Sequence, residues 1–298
     1  MTSGRARVGL IGGSGVYGLA SLADAREERL ETPFGDPSDS YFTGRLREVP
    51  VAFFARHGRG HRHAPSEINY RANIFGFKML GCDALLSVSA VGSLKEELAP
   101  RHAVVPDQFL DRTRHRADTF FGDGIVAHVA FADPVCPSLS GILAASALEC
   151  GLTVHRGGIY VCMEGPEFST RAEAALYRSW GADVIGMTNL TEARLSREAE
   201  ICYASLALVT DYDCWREATE AVSVEAVVAI LGQNAEAARQ SLEAAVGRVD
   251  PDRPCGCREA LRHAILTDPT TIPDAAKEKL RPIVGRYLKD PGPVGGRP

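Results

Sequence analysis

Apolar runs recur along the chain, and most stop on glycine, a hydroxyl or a charged side chain. They lie at 7–11, 51–55, 84–91, 103–106, 158–163, 182–186 and 201–210. Their near-continuous hydrophobicity is the pattern of strands buried on both faces, not of half-solvated alternating strands. Between them, residues 67–80, 139–150, 171–180, 191–199 and 223–246 carry apolar side chains at helical spacing. Gly81 is placed to end the first of these helices. Ser169 or Thr170 is placed to cap the third, with Glu173 in its first turn. Strands alternating with helices predict one α/β domain, assigned to residues 1–250. Residues 251–298 read as a looser segment with one short helix near 258–266 and a Pro/Gly-rich, disordered end. The polar loop 111–124 is expected to be mobile, and no internal repeat is present.

In α/β sheets, ligands bind at the carboxyl ends of the strands, so the residues at the strand tips carry the functional information. The longest run ends on Asp211-Tyr212-Asp213. Residues two apart on an extended chain point the same way, so both carboxylates can face one ligand. Taken alone, such a pair is more often a helix cap and a solvated acid; the other tips shift that balance. The first strand runs into Gly12-Gly13-Ser14-Gly15, and residues 13–18 match G-x-G-x-x-G. A dinucleotide fingerprint would need a second apolar strand ending in an acid about twenty residues later. Residues 19–40 are polar and Pro-broken, so that reading fails. No Walker lysine follows either, yet glycines with a hydroxyl still suit a phosphate. The second strand delivers Arg56 and His57: a bidentate fork and one more donor for an anion, or the start of a surface basic cluster with Arg59, His61, Arg62 and His63. Ser89, Gly92 and Ser93 close the third strand, and Met187 and Thr188 follow 182–186.

The chain has 298 residues, 45% hydrophobic and 24% charged, which is ordinary for a globular protein. Its formal net charge of −5 argues against nucleic-acid or anionic-membrane partners. With no signal-peptide pattern and no run long enough to span a bilayer, a cytoplasmic location is expected. Of the eight cysteines, Cys255 and Cys257 form a C-G-C pair in a polar segment. It fits idle thiols, a disulfide or half a metal site. No second Cys/His pair lies at zinc-like spacing, so no metal is expected.

Taken together, IGGSG, ARHGRGH, NYRANI, SAVGSL, DQFLDRT, EGPEFSTRAE, GADVIGMTN and TDYDCW resemble the trimeric purine nucleoside phosphorylase family. They are most similar to its S-methyl-5′-thioadenosine phosphorylase branch, over residues 7–246. The resemblance implies a phosphorylase/hydrolase-like fold with a central mixed sheet flanked by helices. It implies phosphorolysis of a purine nucleoside, with inorganic phosphate as co-substrate and no organic cofactor or metal. Ser14, Arg56, His57, Ser89, the Ala90 amide and Thr188 would then hold phosphate. Ser14 and Ser89 stand where many relatives of this branch carry Thr. Asp211 would assist the leaving base at N7, and Asp213 would accept from a 6-amino group. Phe168, Ser169, Met187 and Tyr212 would complete the substrate contacts. Relatives that prefer 6-oxopurines carry Asn at the position of Asp211 and F-E-T in place of Phe168-Ser169-Thr170, so the resemblance favours adenine. Val224, Val227 and His128, the last from a neighbouring subunit, would shape a pocket for an apolar 5′ group that also admits 5′-deoxyadenosine. A homotrimer or a dimer of trimers is implied. A broader purine nucleoside phosphorylase, a 5′-methylthioinosine phosphorylase and a catalytically dead nucleoside-binding protein are the alternative readings.

Overall fold

A computed structural model describes residues 7–13, 21–216, 224–250 and 252–288. In chain order the strands are β1 (Val8–Gly12), β2 (Ala23–Glu28), β3 (Tyr41–Leu46), β4 (Val49–Ala55), β5 (Ala84–Ser93), β6 (Ala103–Val105), β7 (Gln108–Arg112), β8 (Val154–Arg156), β9 (Ile159–Met163), β10 (Val184–Gly186) and β11 (Cys202–Asp211). The helices are α1 (Tyr70–Met79), α2 (Pro137–Glu149), α3 (Arg171–Ser179), α4 (Asn189–Glu198), α5 (Val224–Val246), α6 (Asp274–Lys279) and α7 (Arg281–Val284). The strands form one mixed sheet, as expected. Its parallel core is β4-β1-β5-β11, built from the most continuous apolar runs.

Alternate side chains of these strands face opposite ways and fill two cores. Phe54, Leu85 and Tyr203 pack with α1, α4 and the C-terminal segment, through Phe75, Leu195, Leu261 and Ile283. Phe53, Leu86 and Leu206 pack on the other face with α2 and α5, through Leu139, Leu143, Leu242 and Val246. Local signals set the helix ends. The Asn69 side chain accepts from Ala72 N to start α1, and Thr170 and Glu173 form a reciprocal capping box at α3.

The sheet branches at β5. Its first residues pair with β1 on one side and β11 on the other, while Gly92 and Ser93 pair antiparallel with β10. Gly92 therefore stands opposite both Ile185 of β10 and Asp211 of β11, where the β11 register slips. A Cβ on Gly92 would lie 3.1 Å from Asp211 Oδ1 and 3.2 Å from Ile185 Cγ2, so the close approach of three strands favours glycine. A cavity opens at this divergence, at the carboxyl ends of the parallel strands.

Several expectations are corrected. The polar stretch 19–40 does contain a strand, β2, whose side chains are mostly exposed and which pairs antiparallel with β3, with Glu27 also accepting from Arg59 at 2.8 Å. It is separated from β1 by β3 and β4, so the dinucleotide reading still fails. Residues 258–266 are not a helix but a 3₁₀ turn at Gly256–Glu259 followed by turns and a bridge from Ile265 to Ala127. The segment beyond adds α6 and α7, and Leu261, Ile272, Leu280 and Ile283 are core residues. Loop 111–124 begins as β7 and is tied down by Arg116 and by Glu198, which accepts from Thr119 Oγ1 and Phe120 N at 2.7 Å each. The expected disordered end, 289–298, lies outside the described residues. Among the described residues, no helix is long and apolar enough to cross a membrane.

Candidate active site

The cavity at the strand divergence has a volume of about 850 Å³. Its walls come from the tips of β4, β5, β10 and β11, the turn after β9 and one residue of α5, Gly232. One end is basic and rich in hydroxyls; the other holds the two aspartates.

At the basic end Arg56 is almost fully buried, yet it is not an open fork. Its Nε and Nη2 engage both oxygens of Glu192 on α4. Nη2 also donates to Ser87 Oγ at 2.6 Å, and Nη1 donates to the Val88 carbonyl at 3.0 Å. Counting donors, one N–H on Nη1 remains for a ligand. Burial works against the guanidinium charge, and Glu192 more than compensates, leaving the Arg56 pKa raised. A Cβ at Gly13 would stand 2.5 Å from Val88 O and 2.7 Å from Arg56 Nη1, so position 13 can lie against this corner only as glycine. His57 places Nδ1 2.9 Å from the His63 carbonyl and stacks on His61. A carbonyl only accepts, so Nδ1 carries the proton. Burial and then Arg56 push the ring's pKa down to about 3, and Nε2 is therefore a bare acceptor. The expected extra donor becomes an acceptor, suited to the proton that monohydrogen phosphate itself carries.

Ser89, Ala90 and Thr188 line the same end. Ser89 Oγ, buried near the Tyr160 phenol, makes no hydrogen bond of normal geometry within the chain. Thr188 holds the N-cap position of α4 but makes no capping bond with its side chain. Its hydroxyl makes a long 3.4 Å contact to Asn189 Oδ1, and the residue lines the cavity at the helix N-terminus, an arrangement that attracts anions.

At the other end, Asp211 and Asp213 both line the cavity together with Phe168, Ser169 and Met187. Asp211 Oδ2 accepts from Thr210 Oγ1 and Oδ1 from Asp213 N, both at 2.7 Å. Burial raises the Asp211 pKa against these two hydrogen bonds. The neighbouring acid thus acts on Asp211 through its backbone N–H, in the opposite sense to the charge repulsion a D-x-D suggests. Asp213 is buried, and its Oδ2 has no partner of normal geometry. Burial raises Asp213 to about 6, with a smaller contribution from the Asp211 charge. A buried, unpartnered acceptor is costly unless a ligand donates to it.

Other expected site residues fall elsewhere. Tyr212 does not line the cavity: its hydroxyl donates to Glu96 O at 3.3 Å and its ring meets Trp215 edge-on. β11 ends at Asp211, and a left-handed turn at Asp213 (φ 51°) brings the second carboxyl to the cavity while Tyr212 stays off its wall. His128 is exposed, and its backbone N–H donates to Ala264 O at 2.9 Å, so within one chain it takes no part in the cavity. Ser14 lies outside the described residues, as do the side chains of Val224 and Val227 at the start of α5.

The phosphorylase superfamily model matches residues 7–247. The chain belongs to that family. Among its relatives, the S-methyl-5′-thioadenosine phosphorylase of Geobacter sulfurreducens is 58% identical over 282 residues, which is 94% of this chain and 99% of that protein. The crystal structure of a methylthioadenosine phosphorylase from an Antarctic soil metagenomic library superimposes with a TM-score of 0.88 at 46% identity, covering 93% of this chain and 98% of that one. Methylthioadenosine phosphorylase from Schistosoma mansoni in complex with adenine superimposes with a TM-score of 0.79 at 34% identity, covering 90% and 99% of the two chains.

Two residues of this phosphorylase-superfamily site escape sequence reasoning. Glu192 also accepts from Ser87 Oγ at 2.8 Å and from Tyr203 Oη at 2.7 Å, so three strands and α4 converge on one carboxylate. Its only sequence signal is an acid in the first turn of a helix. Arg116, in the supposedly mobile loop, donates from Nη2 to Glu164 O at 2.8 Å and from Nη1 to Met187 O. It thereby ties the turn after β9 to the Met187 backbone, on the cavity wall.

Proposed function

We propose that the protein catalyses the phosphorolysis of S-methyl-5′-thioadenosine, and of 5′-deoxyadenosine with it, to adenine and the corresponding ribose 1-phosphate. The observation that carries this reading is one cavity with an anion corner at one end and, at the other, two carboxyls of raised pKa, Asp211 half-buried and Asp213 buried. Inorganic phosphate sits against the Arg56 Nη1 hydrogen, Ser89, the Ala90 amide and Thr188, with its own proton on His57 Nε2. A phosphate oxygen bonds to the anomeric carbon as the bond to purine N9 breaks. Negative charge grows on the base, and Asp211 hands a proton to N7. Asp213 accepts from the 6-amino group, satisfying its unpartnered oxygen. Met187 packs on the sugar, and the start of α5 borders the 5′ end. The working unit in this reading is a homotrimer, with His128 reaching the 5′ end of a neighbour's site.

A phosphate-dependent assay of base release tests the proposal. Methylthioadenosine and 5′-deoxyadenosine are cleaved in preference to adenosine and inosine, and no base is released without phosphate. Preference for inosine would overturn the role of the two aspartates; release without phosphate would overturn the anion corner.

The same reading sets a pH dependence. Asp213 accepts best when ionised, so kcat/KM for methylthioadenosine falls as pH drops through about 6. In Asp213→Asn that limb disappears and kcat/KM is lower across the range. An unchanged acid limb in the variant would assign it to another group.

A further inference from the structure

Four cysteines lie outside the chemistry above, and distant parts of the chain bring them together. Cys136 is the N-cap of α2, Cys202 opens β11, and Cys255 and Cys257 flank Gly256 in the 3₁₀ turn after α5. All four Sγ atoms lie within 4.8 Å of one another. Cys255 Sγ is 3.7 Å from Cys136 Sγ and 3.5 Å from Cys202 Sγ. Zinc–sulfur bonds of about 2.3 Å in a tetrahedron set sulfur–sulfur edges of about 3.8 Å. A disulfide needs about 2.05 Å, and all eight cysteines are free thiols here. Three of the four are buried and the fourth is half-buried. Arg253 directs Nη2 to Cys136 Sγ at 3.2 Å while its Nε donates to Ser138 Oγ at 3.1 Å. A fixed cation against the sulfurs is what a four-thiolate site of excess negative charge calls for.

We infer that Cys136, Cys202, Cys255 and Cys257 form a closed, structural zinc site. Four soft ligands at tetrahedral spacing, with no position left for water, select zinc and exclude a catalytic role for it. The sequence displays only the C-G-C half. The other half is 119 residues earlier in Cys136 and 53 earlier in Cys202, so no spacing rule could have joined them. The site clamps the start of the C-terminal segment to α2 and to the first residue of β11. A few residues on, Leu261 and Ala264 enter the core, and Leu261 N donates to Glu200 Oε1 at 2.8 Å. β11 runs from this clamp to Asp211, a span of about 30 Å at ordinary strand rise. The metal therefore holds the strand that carries the proposed acid without touching the reaction.

The full chain, purified without chelators and desalted after exposure to zinc, is expected to retain about one zinc per chain by plasma mass spectrometry. An organomercurial releases that zinc to a chromogenic indicator, and four thiols become titratable only as it leaves. Cobalt substitution gives the intense visible bands of a tetrahedral thiolate complex. Cys257→Ser lowers the stoichiometry at least tenfold and lowers the thermal midpoint; if this variant does not fold, the measurements on the parent chain still decide. Metal-free protein with a mass about 4 Da lower, the signature of two disulfides, would overturn the inference. So would metal-free protein in which all the thiols react at once.

Discussion

Asp211→Asn is expected to lower kcat/KM for methylthioadenosine by about 10²–10⁴ with the fold intact. The side-chain shape and one acceptor survive the change, because the amide oxygen can keep the bond from Asp213 N that Asp211 Oδ1 now makes. The amide nitrogen then meets Thr210 Oγ1, whose hydroxyl can accept as well as donate. What disappears is a proton able to move. Adenine leaves without an exocyclic oxygen to take up charge, so its departure depends on protonation at N7. A 6-oxopurine spreads the same charge onto its oxygen, and an amide N–H donated to N7 is help enough. The variant should therefore lose far more activity toward methylthioadenosine than toward inosine, and the ratio of the two kcat/KM values is the decisive readout. Circular dichroism and the thermal midpoint check that the fold is unchanged. If Asp211→Asn cleaves methylthioadenosine at the parent rate, Asp211 is not the leaving-group acid.

The aspartates were legible because β11 is buried on both faces, so its sequence runs apolar, interrupted only by the small Ser205, until Thr210 and Asp211 reach the cavity. The same holds for Arg56, Ser89 and Thr188, each placed at the end of an apolar run and each found on the cavity wall. Glu192 was not legible, since an acid in a helix ordinarily faces water and nothing local marks this one as buried under β5 and β11. Nor was β2, whose sequence Ala-Asp-Ala-Arg-Glu-Glu has neither apolar alternation nor β-branched residues and is a strand because β3 offers it a free edge. Arg116 shows the reverse case. A loop rich in charge reads as mobile, yet a single arginine spends its donors on the carbonyls of two other segments and fixes the wall of the site. Tyr212 was drawn into the site by its neighbours in sequence, but its hydroxyl donates to the distant Glu96 carbonyl instead. In each of these cases the deciding interaction is long-range and polar, which periodicity does not record.

Removing the Glu192 carboxylate should cost more stability than any other single change at the anion corner. Both members of the Arg56–Glu192 pair are almost fully buried, so Glu192→Ala leaves an uncompensated guanidinium in the core, at a cost of about 3–5 kcal/mol. It also strands Ser87 Oγ and Tyr203 Oη, which now donate to the carboxylate. Glu192→Gln keeps the shape and one acceptor, so its loss should be smaller, but the Arg56 charge is again unbalanced. A phosphate dianion at the corner can supply the missing counter-charge, and a ligand that binds only the folded state stabilises it by mass action. Urea denaturation with and without phosphate should therefore show a larger phosphate-induced rise in midpoint for Glu192→Gln than for the parent chain. If Glu192→Ala unfolds at the parent midpoint, the buried pair does not hold this corner of the fold. If phosphate stabilises Glu192→Gln no more than the parent, the remaining Arg56 N–H does not face the anion, and the donors for phosphate must be sought among Ser89, Thr188 and the backbone of α4.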